Sequence, residues 1–240
     1  MRRVWLILLL FLGFAPLLEA NERASEIHIV SEAWRDYSNA DGSGLAWDVL
    51  RKVFEPAGVR LRIQSEPYTR SIGLVQRGEA DAWVGAYRGE IDDGVLYPKW
   101  HYDDDHIVAL GLSSTPAPSL DTLGSYRLAW VHGYGFQEFL PNVREYREVQ
   151  RRGGILRMLD LGNADLYIDS LTEVEDVLGE AEQGDRYRMT KLADIPLFLG
   201  FVASPKGRQL AGIFDQRMEQ LVASGELRPI FKRWQQPYPF

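Results

Sequence analysis

The 240-residue chain contains no cysteine. That removes disulfides, thiolate metal sites, a catalytic thiol and a lipid-modified Cys at a processed start. Basic charge is also in short supply: 27 Lys and Arg stand against 34 Asp and Glu, a net charge of −7, which argues against a nucleic-acid partner. No Gly-x-Ser-x-Gly elbow and no phosphate loop with a Lys occurs, and no cofactor motif is found. Apolar runs are short everywhere except at the start.

That start reads as a targeting segment. Arg2 and Arg3 are followed by an apolar core from Val4 to Phe14 and by Leu18-Glu19-Ala20, so residues 1–20 are expected to form a signal peptide cut after Ala20. The competing reading is an uncleaved anchor, but the apolar run falls short of the ~20 residues that span a bilayer. The remaining chain is thus expected to work in the periplasm, and its apolar fraction of 45% is ordinary for a folded globule.

One pattern occurs twice. Residues 74–84 (LVQRGEADAWV) and 158–168 (MLDLGNADLYI) align without a gap, matching Gly78 with Gly162, Ala80 with Ala164, Asp81 with Asp165 and Trp83 with Tyr167. Each copy reads as a helix end, a glycine stop and a buried strand, which is half of a βαβ crossover. The copies lie about 84 residues apart, too far for a solenoid with periods of roughly 20 to 50 residues. Two α/β lobes of similar plan are expected.

Around these copies the spacing predicts strands at 26–32, 59–63, 80–86, 107–112, 127–131, 144–149, 164–169 and 198–203. Helices are predicted from Leu45 to Pro56, from a Thr69 cap to Gly78, and over 136–140, 154–161, 171–178, 207–221 and 227–234. Strands alternating with helices favour parallel sheets. Ser113 to Pro118 marks an exit from the first lobe, giving lobe 1 over 21–112, lobe 2 over 113–198 and a return to lobe 1 over 199–240. The run His101 to His106 (HYDDDH) has metal-ligand residue types, but with no second cluster nearby it is expected to be a solvated polar turn.

The chain resembles the extracellular solute-binding proteins of family 3, the amino-acid-binding type. The resemblance rests on Gly78-Glu79-Ala80-Asp81 with Tyr97-Pro98, on Gly162-Asn163-Ala164-Asp165, and on the ending from Pro205-Lys206-Gly207 through Gly225-Glu226-Leu227 to Lys232-Arg233-Trp234. It implies a two-lobed, type II periplasmic-binding-protein clamshell with two crossover strands and a ligand in the cleft. It further implies a monomer that captures a small polar molecule, an amino acid or related amine or acid, for the inner-membrane permease of an ABC importer. Alternatives are a ligand sensor for a membrane signalling partner and a periplasmic dehydratase of cyclohexadienyl acids, with Asp169 and Glu173 as candidate acids; a non-enzyme is expected.

Open parallel sheets bind ligands beyond the carboxyl ends of their strands, so candidate contacts can be named. Trp34 and Tyr37 follow the first strand and offer an apolar clamp, unless one packs under the neighbouring helix. Tyr68 and Arg70 precede the first repeat, where the family places an aromatic and an Arg toward the cleft. Gly85, Ala86, Tyr87 and Arg88 end the repeat strand, small residues admitting a ligand and a guanidinium able to hold a carboxylate. His132, Gly133 and Tyr134 link a strand to a predicted helix whose free N–H groups suit an anion. Asp169 matches the family carboxylate that pairs with a ligand amino group. One departure stands out: the family's carboxylate-holding Arg is replaced by Ile91, leaving Arg88 or Arg70 as substitutes, or a ligand without an α-carboxylate.

Overall fold

The structure is a computed structural model and describes residues 24–240; the expected signal peptide lies outside the described residues. In chain order the elements are β1 (Glu26–Ser31), α1 (Leu45–Phe54), β2 (Arg60–Ser65), α2 (Tyr68–Gln76), β3 (Ala82–Tyr87), β4 (Val95–Leu96) and β5 (Asp103–Leu112). They continue as β6 (Arg127–Val131), β7 (Glu145–Val149), α3 (Ile155–Asp160), β8 (Leu166–Ser170), α4 (Leu171–Gly179), β9 (Tyr187–Val202), α5 (Pro205–Ser224) and α6 (Arg228–Arg233).

The strands join in the order β2-β1-β3-β9-β5-β8-β6-β7, with β4 paired to β9 on the edge opposite β3. The two flanks are parallel: β1 pairs with β2 and β3, and β6 with β7 and β8. Between them β5 and β9 run antiparallel through ten paired positions, from Asp103 opposite Leu197 to Leu112 opposite Tyr187. The molecule is therefore two α/β lobes of the same plan, bound together by a pair of long strands. One continuous apolar core runs from Ile27, Val49 and Phe214 in the first lobe to Trp130 and Phe136 in the second. A smaller cluster around Val108, Leu110, Tyr167 and Val174 fills the outer side of the second lobe.

The repeated motif does the same work in each lobe. Gly78 and Gly162 take φ of 73° and 64°, the left-handed turn that ends α2 and α3. Asp81 N–H then donates to His28 C=O at 2.9 Å, while the Asp81 carboxylate accepts from His28 N–H at 2.7 Å. In the second lobe Asp165 N–H donates to Arg127 C=O at 2.8 Å and its carboxylate accepts from Arg127 N–H at 2.8 Å. Each aspartate thus fastens a new strand to the first strand of its lobe.

Four sequence expectations are corrected. The residues from Asp103 to His106 are not a turn: they form the start of β5, and Asp103 is only 5% exposed. The return strand is β9, sixteen residues long and begun at Tyr187, because its polar first half pairs with β5 and needs no apolar alternation. Thr69 is not a cap; the backbone N–H of Tyr68 donates instead to the Glu32 carboxylate at 3.2 Å. The predicted helix at 136–140 is one 3-10 turn, Phe136–Glu138.

Candidate interlobe site

Chain segments from the two lobes meet directly where β1, β3 and β6 end. Trp34 Nε1 donates to the Tyr134 hydroxyl at 3.0 Å, and the rings of Tyr68 and Tyr134 pack edge to face with centroids 5.6 Å apart. Tyr87 packs on Phe139 at 4.7 Å. Gly133 approaches Thr69 so closely that a Cβ there would lie 2.2 Å from Thr69 Cγ2. The lobes are closed on each other.

Within this closure lies a cavity of about 80 Å³. Its walls are the rings of Trp34, Tyr37, Tyr68, Tyr87 and Tyr134, and its polar lining comes from Asp103, Asp104, Asp105, His106, Ser170, Thr172 and Glu173. The C-terminal tail supplies Gln236.

Local structure explains why those rings stand there. Gly85, with φ of 86°, sits in an irregularity of the β3–β9 pairing between Trp83 and Ala86. A Cβ at Gly85 would fall 2.6 Å from Trp34 Cη2, so only glycine lets the indole lie against the strand. The Glu90 carboxylate, tucked under the end of β3, accepts from the Tyr68 hydroxyl at 2.8 Å and from Trp83 Nε1 at 3.2 Å. Burial pushes Glu90 up to about 7 against these hydrogen bonds.

Behind the cavity Arg152 gathers three carboxylates. Its Nε lies 2.9 Å from both Asp169 and Glu173, and its Nη1 lies 3.6 Å from Glu32 of the first lobe. It also donates to the Tyr134 hydroxyl at 2.7 Å. Burial alone would lower the guanidinium, but Asp169, followed by Tyr134 and Glu173, outweighs it and raises it. Burial raises Glu173 to about 7 despite Arg152.

The sequence-derived candidates divide cleanly. Trp34, Tyr37, Tyr68, Gly85, Tyr87 and Tyr134 all line the cavity. Asp169 is fully buried beside it, accepting from Arg152, the Tyr167 hydroxyl and the Ser170 N–H at 2.9 Å. Ala86 is buried within β3. Arg88 does not line this cavity; it donates to Pro98 C=O at 2.5 Å with its guanidinium 4.3 Å from the Phe198 ring centre. Arg70 is exposed and paired with Glu66 at 3.0 Å. The backbone N–H of Gly133 and the ring of His132 are both taken by the Glu148 carboxylate, at 3.0 and 2.7 Å. The sequence reading missed Asp103, Asp105, His106 and Arg152; the only signal for the first three was their place at the head of a crossing strand, which must traverse the cleft.

No family model matches the sequence, and no curated protein does either. The fold, by contrast, matches many solved structures. The substrate binding protein of an amino acid ABC transporter superposes with a TM-score of 0.68 at 18% identity, over 87% of this chain and 98% of that one. A histidine kinase sensor domain with similarity to periplasmic binding proteins gives 0.71 at 14% identity, over 88% and 96%. An ABC uptake transporter substrate binding protein from Streptococcus pneumoniae with bound histidine gives 0.68 at 16%, over 88% and 92%. The chain therefore has the two-lobed fold of type II periplasmic binding proteins.

Proposed function

We propose that this chain is a periplasmic solute-binding protein that closes its two lobes around a small polar molecule, an amino acid or a related amine or acid. Lobe 1 comprises residues 21–112 and 199–240 and lobe 2 residues 113–198, and the molecule acts as a monomer. It delivers its ligand to the inner-membrane permease of an ABC importer; the sensor-domain neighbour supports a second reading, in which the ligand is reported to a membrane signalling partner. The observation that carries the proposal is the cavity between the lobes, walled by rings from both and bridged by the Trp34–Tyr134 hydrogen bond.

Closure follows from population shift. A ligand that touches both lobes binds the closed state better and draws the open–closed balance toward it. Asp169 and Glu173, the candidate acids of the dehydratase reading, are both engaged by Arg152, and Asp169 also by Tyr167 and Ser170, so binding is the better supported role. Thermal-shift and calorimetric titration with amino acids, amines and small organic acids tests the proposal. A saturable response to one of them is expected, and silence toward all would contradict it.

A further inference from the structure

The cavity's chemistry narrows the ligand. Resting on the reading of this cavity as the ligand site, we infer that the ligand is a small organic cation without a carboxylate, an alkylamine or quaternary ammonium, held by the aromatic walls and by Asp103 and Asp105.

Two independent features carry this. The first is the ring set: Trp34, Tyr37, Tyr68, Tyr87 and Tyr134 enclose the space from both lobes. Ring faces are electron-rich and attract a cation that has shed its water, and such cages are how alkylammonium groups are recognised. The second is a pair of carboxyl groups without a basic partner. Asp103 is 5% exposed, its Oδ1 accepts from the Asp104 N–H at 2.9 Å, and among the described residues no basic side chain pairs with it. Asp105 accepts from the Tyr87 hydroxyl at 2.6 Å and likewise has no basic partner among the described residues.

The neighbouring acids differ. Asp169 and Glu173 share Arg152, and Asp104 has His101 at 3.6 Å. His106, the one basic side chain in the lining, is held by Asp194 at 2.5 Å. A buried carboxylate without a counter-charge is costly, and an incoming cation removes that cost.

A ligand carboxylate finds the opposite. No Arg or Lys among the described residues lines the cavity. Arg70 is exposed on Glu66, Arg88 lies outside this cavity with its guanidinium on Pro98 C=O, and the residue at 91 is isoleucine. A zwitterionic amino acid would place its carboxylate among rings and aspartates. The small volume, about 80 Å³, suits a compact cation and excludes a peptide.

The test titrates the full-length mature chain, at pH 8 and low salt, with tetramethylammonium, choline, putrescine and agmatine, and in parallel with glycine, glutamate, arginine and succinate. Wild type is compared with Asp103→Asn, Asp105→Asn and, as a control outside the cavity lining, Arg88→Ala. Saturable binding of at least one cation probe is expected, weakened roughly tenfold or more in Asp103→Asn, as loss of one partner of a buried charge pair does. Arg88→Ala should bind like wild type. Thermal melts verify that each variant is folded, and Asp105→Asn supplies the same comparison should Asp103→Asn not fold. Binding of a zwitterion or acid with every cation silent overturns the cation assignment and leaves the ligand-site reading standing. Silence toward all eight probes overturns both. Cation binding undiminished in the Asp variants overturns the assigned contacts.

Discussion

The indole N–H of Trp34 and the hydroxyl of Tyr134 meet at 3.0 Å across the cleft, a hydrogen bond between side chains 100 residues apart in sequence. Trp34 is set by the end of β1 and by Gly85 beneath it, whereas Tyr134 is set by the end of β6 and by Arg152 beside it. The bond exists only while the lobes are shut, so it contributes to the open–closed balance rather than to the folding of either lobe.

Trp34→Phe should keep a ring in place and lose this bond. A net hydrogen bond is worth about 0.5–1.5 kcal/mol, so ligand affinity should fall roughly two- to tenfold while the melting temperature of the ligand-free protein changes little. Calorimetric titration of wild type and variant checks this.

Arg152→Met should be far more damaging. It leaves Asp169, fully buried, and Glu173, 9% exposed at the side chain, without their counter-charge. Breaking such a pair from one side costs on the order of 3 kcal/mol. Urea denaturation should show a lower midpoint, and the double variant Arg152→Met with Asp169→Asn should recover part of the loss.

The ligand-free protein should lose stability as pH rises through neutrality. Burial raises Asp103 to about 8, with the Asp104 N–H opposing it and the Asp104 and Asp105 carboxylates adding to the effect. Burial likewise raises Asp105 to about 6. A carboxyl raised on folding holds its proton more tightly when folded, so its contribution is full below its ordinary range near 4 and is lost as pH climbs through 6 and toward 8. Melting temperature should therefore fall between pH 5 and pH 8, by roughly 2–4 °C for each kcal/mol lost. Asp103→Asn should flatten that slope and melt higher than wild type at pH 8, even as it impairs cation binding.

Asp81 and Asp165 should prove structural. Each completes a two-way hydrogen bond with the first strand of its lobe, and Asp81 also pairs with Lys206 at 2.6 Å. Asp81→Ala should cost about 1–3 kcal/mol by leaving the buried His28 N–H without its acceptor. Asp165→Ala, at a more exposed position, should cost less. Neither should change ligand affinity beyond what lost stability explains, as paired denaturation and titration curves would show.

The fold was readable because it is written in local chemistry. Gly78 and Gly162 stop helices, Asp81 and Asp165 fasten strands, and apolar strands alternate with helices, all within short windows of sequence. The rings at Trp34, Tyr37, Tyr68, Tyr87 and Tyr134 were readable for a related reason: strand ends in such sheets face the cleft. The acidic floor was not. Asp103 and Asp105 follow no apolar rhythm, and their burial is imposed by β9 and by the opposite lobe, which a window of sequence cannot contain. Arg88 lies outside that cavity for the converse reason, because Phe198 and Pro98, remote in the chain or around a turn, hold its guanidinium.

The most direct test uses the absence of cysteine. Labels on Arg62→Cys in β2 and Arg147→Cys in β7, both exposed and at opposite ends of the sheet, report the separation of the lobes by electron–electron distance measurement. Addition of a saturating cation probe is predicted to collapse a broad or long distance distribution onto a single shorter one, and Trp34→Phe should blunt that collapse. A distribution unchanged by a probe whose binding calorimetry has established would contradict closure around a ligand held between the lobes.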